Sequence, residues 1–143
     1  MLKHIHPLFS ADLLYSLQSM GHGDTLAIVD ANFPATSNSQ FTHISMLGID
    51  CSQMLEAILK HVPLDAFTPT PVRIMAQDNS EQPTDAAQDF IITVEQSEES
   101  EHNHLFLERN EFYKKSKECQ LIISTSDLRP YACVILQKGV IFD

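Results

Sequence analysis

The chain has 143 residues, 43% of them hydrophobic, and a formal net charge of −10 at pH 7. This length supports one domain, residues 1–143, and is too short for two ordinary domains. The acidic balance argues against nucleic acid and anionic membrane surfaces as partners. The N-terminus has neither the basic start nor the apolar core of a signal peptide, so we expect a soluble, cytoplasmic protein.

The first third of the chain alternates a predicted helix with two predicted strands. Ser10 is a suitable N-cap, and apolar residues follow it at helical spacing until Gly21 ends the element. The run TLAIVD (25–30) predicts a strand buried on both faces, and FTHISMLG (41–48) a half-buried strand. The polar segment 31–40 between them predicts a loop.

The middle of the chain continues the alternation. Apolar residues after Asp50 predict a helix that ends before Pro63, with Glu56 and Lys60 as an ion pair on its outer face. PVRIMA then predicts a short strand. The segment NSEQPTDAAQDFIITVEQSEESE predicts a further helix, whose acidic tail we interpret as a solvated face.

The last third predicts one helix and three strands. The helix covers ERNEFYKKSKEC, where Glu111 and Lys115 are spaced for an ion pair. The strands are His104 to Leu107, LIISTS and, after a polar turn, YACVILQKGVIF. Strands alternating with helices predict a three-layer α/β/α sandwich, and the short final connection predicts a mixed central sheet.

Histidines and cysteines are numerous enough to raise metal and thiol chemistry. The chain has seven histidines and three cysteines, but no local cluster supplies the three or four ligands of a zinc site. Cys133 and His22 could be a nucleophile and its base, yet Cys133 lies in an apolar run, which favours a packing or pocket-lining role. No glycine-rich phosphate loop occurs. We therefore expect neither a metal nor a cofactor.

The segment MGHGDTLAIVD contains the clearest candidates for chemistry. His22 lies between two glycines, which permit close approach of another molecule, and Asp30 ends the strand that follows. An imidazole can donate and accept protons near neutral pH, although a lone histidine in such a turn is also compatible with a cap or surface role. Arg109 at a helix start and Tyr131 at a strand start complete the candidates.

Three segments of the chain resemble the RbsD/FucU family of D-ribose pyranases and L-fucose mutarotases. MLKHIHPLFSADLLYSLQSMGHGDTLAIVDANFP is similar to the N-terminus of the fucose mutarotase branch. ERNEFYKKSKEC and STSDLRPYACVILQKGVI resemble later motifs of the same branch. The resemblance covers nearly the whole chain in order, with little contribution from 77–103.

The resemblance implies an RbsD-like fold and a sugar mutarotase. Such an enzyme interconverts the α and β anomers of a free reducing monosaccharide, here most closely L-fucose, by acid–base ring opening and closure without a cofactor. His22 falls on the family's proton donor, and Asp30, Arg109, Tyr131 and Cys133 fall on its sugar-binding positions. Two alternatives stay open: a D-ribose pyranase that interconverts pyranose and furanose rings, and a non-catalytic sugar-binding or regulatory protein.

The resemblance also implies a ring-shaped homo-oligomer, often a decamer, whose pockets a neighbouring subunit completes. We expect the strand after His22 to fix the distance from its imidazole to Asp30. Two positions depart from the family pattern. Cys133 replaces an asparagine and cannot offer the paired donor and acceptor of an amide, and Asn32 replaces a histidine found in many fucose mutarotases.

Overall fold

Six strands and five helices alternate along the chain in a computed structural model that describes residues 1–143. The helices are α1 (Ala11–Ser19), α2 (Ala35–Asn38), α3 (Cys51–Leu59), α4 (Asp85–Glu95) and α5 (Arg109–Glu118). The strands are β1 (Thr25–Val29), β2 (Thr42–Met46), β3 (Val72–Met75), β4 (His104–Leu107), β5 (Leu121–Thr125) and β6 (Val134–Gln137). None of the helices is long and apolar enough to span a bilayer.

The strands form a single mixed sheet in the order β2-β5-β1-β6-β3-β4. Five strands run parallel, and β6 runs antiparallel to both of its neighbours, β1 and β3. The predicted mixed sheet is therefore confirmed. Because β6 alone is reversed, the residues that precede it lie at the edge of the sheet where the other strands end.

Each face of the sheet has its own apolar core. Leu26 and Ile28 of β1 point to the larger core, which they share with α1, α3 and α4. Ala27 and Val29 point to the opposite face and pack against α2 and α5. This alternation follows from the two-residue period of a strand, and it produces the predicted three-layer α/β/α arrangement.

Side-chain caps determine where the main helices begin. The Ser10 hydroxyl accepts a hydrogen bond from the N–H of Leu13, and Asp50 forms a reciprocal capping box with Gln53. Thr84 caps α4 in the same way as Ser10 caps α1. Each cap satisfies backbone N–H groups that the first turn of a helix leaves unpaired. The predicted helix starts after Ser10 and Asp50 are confirmed.

The prediction of an uninterrupted loop over 31–40 is wrong, because four of its residues form α2. Phe33 and Ala35 are buried in the smaller core, and the Phe33 ring meets the ring of Phe112 on α5 at a centroid distance of 5.9 Å. The Asn38 amide donates to the carbonyl of Pro34 at 2.9 Å. Packing against α5 therefore stabilises a turn of helix that the polar composition does not indicate.

The final strand is shorter than predicted, which places Tyr131 in a turn rather than in the strand. Tyr131 has a φ of +58°, in the left-handed region that residues other than glycine rarely adopt. The N–H of Cys133 then donates to the carbonyl of Tyr131 at 2.8 Å. β6 therefore begins only at Val134.

One of the two predicted helix ion pairs is present. Lys60 and Glu56 lie 2.8 Å apart on α3. On α5, the prediction of a Glu111–Lys115 pair is wrong, because Lys115 instead approaches Glu118 at 3.7 Å. Exposed pairs of this kind contribute little to stability, so little energy distinguishes one partner from the other.

Gly139 lies where the chain beyond β6 crosses the segment 63–65. A Cβ at this position would be 2.4 Å from the carbonyl oxygen of Leu64 and 2.9 Å from the Cα of Asp65. The N–H of Gly139 also donates to the carbonyl of Pro63 at 2.8 Å. The two backbones approach too closely to admit a side chain at residue 139.

Gly139→Ala is expected to lower the free energy of unfolding by about 1–3 kcal/mol, because the added methyl group must displace backbone atoms. Urea denaturation measures this loss. Gly21→Ala is the matched control, since the nearest atom to its added Cβ is Asp24 Oδ2 at 3.8 Å. Equal unfolding midpoints for the two variants would contradict the close packing at Gly139.

Candidate functional site

A cavity of about 370 Å³ opens at the edge of the sheet where the parallel strands end. Ligands of α/β proteins commonly bind in the crevice outside this edge. Four of the residues predicted from the sequence are brought together here: Asp30, Arg109, Tyr131 and Cys133. The other lining residues are Asn32, Phe33, Met75, Asp78, Tyr113 and Pro130.

Asp30 is the buried acid of this pocket and is only 8% exposed. Its Oδ1 accepts from the N–H of Asn32 at 2.9 Å, and its Oδ2 accepts from the Cys133 thiol at 3.3 Å. Burial raises the pKa of Asp30, and these hydrogen bonds offset that effect only in part. A buried carboxyl with a raised pKa in a cleft is a candidate functional group.

Cys133 is fully buried and acts as a hydrogen-bond donor in this pocket. Burial and the nearby Asp30 carboxylate raise the pKa of the Cys133 thiol well above its ordinary value. The thiol is therefore protonated at neutral pH and is a poor nucleophile. The pocket-lining role expected for Cys133 agrees with this environment, whereas pairing with His22 does not, because His22 is absent from the pocket lining.

Arg109 is held at the pocket by Asp78, a residue that the sequence analysis missed. Their side chains form an ion pair with a distance of 3.1 Å between Arg109 Nε and Asp78 Oδ2. The hydrogen bond to Asp78 raises the pKa of Arg109 above its ordinary value. The guanidinium has five N–H donors, so this contact leaves others free for hydrogen-bond acceptors of a ligand. The only sequence signal for Asp78 was an acid shortly after a predicted strand.

An ion pair between the buried Asp127 and the partly exposed Arg129 anchors the turn that carries Tyr131. Asp127 accepts from the Arg129 guanidinium at 2.8 Å and from the N–H of Cys51 at 3.0 Å. Burial alone would raise the pKa of Asp127, but the hydrogen bonds from Arg129 and Cys51 bring it below its ordinary value. These contacts hold the turn against the start of α3. The backbone that carries the Tyr131 side chain into the pocket is therefore fixed in position.

His22 lies at the opposite end of the strands from this pocket. It precedes the five residues of β1, whereas Asp30 follows them. At roughly 3.3 Å per strand residue, about 16 Å separate the two ends of β1. β1 therefore fixes the distance between His22 and Asp30, as expected, and it holds them at opposite ends of the strand.

The nearest partner of His22 is Asp65, a second acid that the sequence analysis missed. His22 Nε2 lies 3.0 Å from Asp65 Oδ1, with the His22 side chain 45% exposed. The imidazole also lies 5.5 Å, between ring centroids, from the exposed ring of Phe67. The only sequence signal for Asp65 was an acid within the apolar run VPLDAF. His22 is thus anchored through one nitrogen at an open surface.

Comparison with known protein families identifies the chain. The model of the RbsD / FucU transport protein family matches residues 3–141. The chain belongs to the RbsD/FucU family. This membership agrees with the motifs around His22, Arg109 and Tyr131. The family model also covers the segment 77–103, where the motifs are weak.

Individual members of the RbsD/FucU family are similar over the full length of the chain. Human fucose mutarotase is 34% identical over 149 residues, covering 98% of this chain and 94% of that protein. The fucose mutarotase of Streptococcus pneumoniae, solved in complex with L-fucose, has a TM-score of 0.88 at 31% identity and covers 99% of this chain and 100% of that chain. Bacillus subtilis RbsD, solved with D-ribose, has a TM-score of 0.78 at 24% identity, with coverage of 99% and 100%, and shares the fold.

Proposed function

We propose that this protein is a mutarotase that interconverts the α and β anomers of a free reducing monosaccharide, with L-fucose as the first candidate. The observation that carries the proposal is the pocket that combines Asp30, Arg109, Tyr131 and Cys133. Two fucose mutarotases, 34% and 31% identical to this chain over nearly its whole length, favour fucose over ribose.

The reaction consists of two coupled proton transfers. A base removes the proton from the anomeric hydroxyl while an acid protonates the ring oxygen, and the bond between that oxygen and the anomeric carbon breaks to give the open-chain aldehyde. Rotation about the adjacent carbon–carbon bond and closure on the other face reverse both transfers. Positioned acid–base groups typically accelerate such steps by roughly 10²–10⁴-fold.

In this proposal the His22 imidazole takes part in both transfers, because it can accept and donate protons near neutral pH, and the pocket residues hold the sugar. The Asp30 carboxylate accepts hydrogen bonds from sugar hydroxyls, Arg109 donates them, and the Tyr131 phenol does either. The Cys133 thiol already donates to Asp30 Oδ2 and so determines how that carboxylate faces the sugar.

We propose that His22 of the partner subunit completes each pocket in a homo-oligomer, which the family resemblance suggests is a ring-shaped decamer. The opposite locations of His22 and the pocket within one chain support this arrangement. Phe67 lies beside the imidazole and Phe142 lies against Phe67, and the two side chains are 70% and 73% exposed. Exposed aromatic side chains are typical of subunit contacts. Gel filtration is expected to give a multiple of the 16.1 kDa chain mass; a mass near that of one chain would refute the proposal.

The state of the cysteines supports a cytoplasmic location, which we also propose. Cys51, Cys119 and Cys133 are all buried and unpaired. Burial raises the pKa of Cys119 to about 11, so this thiol stays protonated and unreactive at neutral pH. Free thiols are usual in reducing compartments, whereas secreted domains of modest size commonly form disulfides.

Saturation-transfer NMR on the anomeric protons of L-fucose and D-ribose tests the proposed activity. Catalytic amounts of protein, without added metal, are expected to accelerate exchange of fucose. Acceleration of ribose alone would move the protein to the pyranase alternative. Binding without exchange of either sugar, measured by calorimetry, would favour the non-catalytic sugar-binding alternative.

Cys133→Asn is expected to change the affinity for, or the preference between, L-fucose and D-ribose by about 5–10-fold. The reason is that one hydrogen bond to a ligand contributes roughly 1 kcal/mol, and the amide adds both a donor and an acceptor beside Asp30. Calorimetric titration of both sugars measures the change. Cys119→Ser, which alters a buried thiol outside the pocket, is the control. Unchanged affinity and preference in Cys133→Asn would rule out Cys133 as a determinant of sugar recognition.

A further inference from the structure

We infer that the protein accepts a neutral reducing oligosaccharide, whose reducing-end ring occupies the pocket of Asp30 and Tyr131 and whose next ring occupies a second cavity beside it. The inference rests on the proposed function and names a substrate class for the same site. The reaction is unchanged, because ring opening needs only the free anomeric carbon of the reducing-end ring.

The second cavity lies at the same end of the strands as the sugar pocket and has a volume of about 650 Å³. Its wall consists of two segments, 76–81 after β3 and 108–110 at the start of α5. These segments lie side by side because β3 and β4 are parallel neighbours, and the N–H of Ala76 donates to the carbonyl of Leu107 at 2.8 Å. The volume is within the usual range of small-molecule sites, roughly 300–1,000 Å³.

The second cavity adjoins the sugar pocket, since Asp78 and Arg109 line both. Their ion pair therefore forms the boundary between the two spaces. The two side chains are both more than two-fifths exposed, and such exposed pairs contribute little to stability, so ligand hydroxyls can replace the contact at small cost. The ion pair uses Arg109 Nε, and the N–H groups on Nη1 and Nη2 can donate to a ring on either side.

The lining of the second cavity suits a polyhydroxylated ligand. Ala76 is its only hydrophobic residue, so an apolar group would gain little free energy by entering it. The side-chain amides of Asn79 and Asn110 each present donors and an acceptor. Sugar hydroxyls both donate and accept hydrogen bonds, so a second sugar ring can pair with these amides.

The charges of the lining favour a neutral ring over an anionic one. Three carboxylates, from Asp78, Glu81 and Glu108, face a single cation, Arg109. A further carboxylate or a phosphate on the ligand would be repelled by this excess of negative charge. The second ring is therefore expected to carry hydroxyl groups and no acid.

Internal hydrogen bonds give the loop 76–81 a defined shape. Gln77 Nε2 donates to the carbonyl of Gln82 at 2.8 Å and to Ser80 Oγ at 3.0 Å. Ser80 Oγ also accepts from the N–H of Gln82 at 3.1 Å. Asn79 lies between them with a φ of +57°, in the left-handed region that asparagine tolerates better than most residues. These bonds leave the Asn79 side chain available to a ligand.

Anomer exchange of fucose disaccharides tests the inference on the full-length protein. The probes carry a β-galactosyl group on O2, O3 or O4 of L-fucose, and each keeps the free anomeric carbon. We expect at least one isomer to exchange and to bind about 5–10-fold more tightly than L-fucose, the usual contribution of one net hydrogen bond. Exchange of L-fucose with neither exchange nor binding of any isomer would overturn the inference.

Asn110→Trp locates the second ring. The indole should fill the second cavity and lower the catalytic efficiency for the accepted disaccharide by about 10–100-fold relative to that for L-fucose in the same variant. Gln88→Trp is the matched control, because Gln88 is exposed on α4 and lines neither cavity. An unchanged ratio of the two efficiencies in Asn110→Trp would overturn the inference.

A charged probe tests the second cavity on the wild-type protein, without reliance on the folding of a variant. Replacing the galactosyl group of the accepted disaccharide by glucuronyl adds one carboxylate at constant ring size. Calorimetry is expected to show binding weakened by about 5–10-fold at low ionic strength, and by less in high salt, which screens the repulsion. Equal affinities for the neutral and the acidic disaccharide at low ionic strength would overturn the inference.

Failure of this inference can be distinguished from failure of the proposed function. Absence of exchange for L-fucose, D-ribose and every disaccharide would defeat the proposed function. Calorimetry would then still decide the inference, because a disaccharide that uses both cavities should bind more tightly than the monosaccharide. Exchange and binding of the monosaccharide alone would leave the mutarotase proposal intact and overturn the extended substrate.

Discussion

His22→Ala is expected to lower catalysed anomer exchange by about 10²–10⁴-fold while leaving sugar binding largely intact. This range is the usual contribution of one positioned acid–base group. Affinity should persist because the sugar contacts we propose belong to Asp30, Arg109 and Tyr131, which line a separate pocket in the same chain. Saturation-transfer NMR measures the exchange, and calorimetry measures the binding.

His43→Ala is the matched histidine control. His43 is exposed on β2 and contacts Ser124 at 2.8 Å, and it lies outside the pocket. Exchange should survive in this variant. Full exchange in His22→Ala would refute the assignment of His22 and leave membership of the family unaffected. Loss of exchange in both variants, with a changed oligomer mass, would indicate damage to assembly rather than to chemistry.

The fold is predictable from the sequence wherever a cap and an apolar period coincide. Ser10 and Asp50 begin helices where expected, and the run TLAIVD forms the central strand β1, with Leu26 to Val29 fully buried. These signals are local, because a cap bonds to the first turn of its own helix and a strand buried on both faces consists of consecutive apolar residues. Such local signals can be recognised in a single sequence.

The errors fall where structure depends on distant contacts. α2 forms because Phe33 packs against Phe112 of α5. The two residues are far apart in the sequence, and the polar residues around Phe33 give no indication of the contact. Tyr131 leaves the strand because Asp127 and Arg129 anchor its turn to α3. Neither contact has a period or a spacing that a local pattern could detect.

The candidate site shows the same division between local and distant information. The four pocket residues were named through motifs, and the pocket combines them. Asp65 and Asp78 were missed because their partners lie 43 and 31 residues away, at His22 and Arg109. The motif around His22 also did not show that a histidine before a strand and an aspartate after it lie at opposite ends of that strand.

Mixing His22→Ala subunits with Asp30→Asn subunits is expected to restore exchange that neither variant has alone. If each site takes its histidine from one subunit and its pocket from the next, some mixed interfaces combine an intact His22 with an intact Asp30. Random assembly at a one-to-one ratio gives about one quarter of the wild-type sites. Co-refolded oligomers, with mixing verified by native mass spectrometry, are assayed by the same anomeric exchange.

A second mixture separates a shared site from a site contained in one chain. Wild-type subunits mixed one-to-one with the double variant His22→Ala/Asp30→Asn should also retain about one quarter of the sites if they are shared, but about one half if each chain forms its own. Mixing the two single variants should then restore about one quarter of the sites if the sites are shared, and none if each chain forms its own site. Because β1 separates His22 from Asp30 in the chain, we expect about one quarter of the wild-type exchange in both mixtures. One half in the second mixture, together with no exchange in the first, would mean that a single chain supplies both groups.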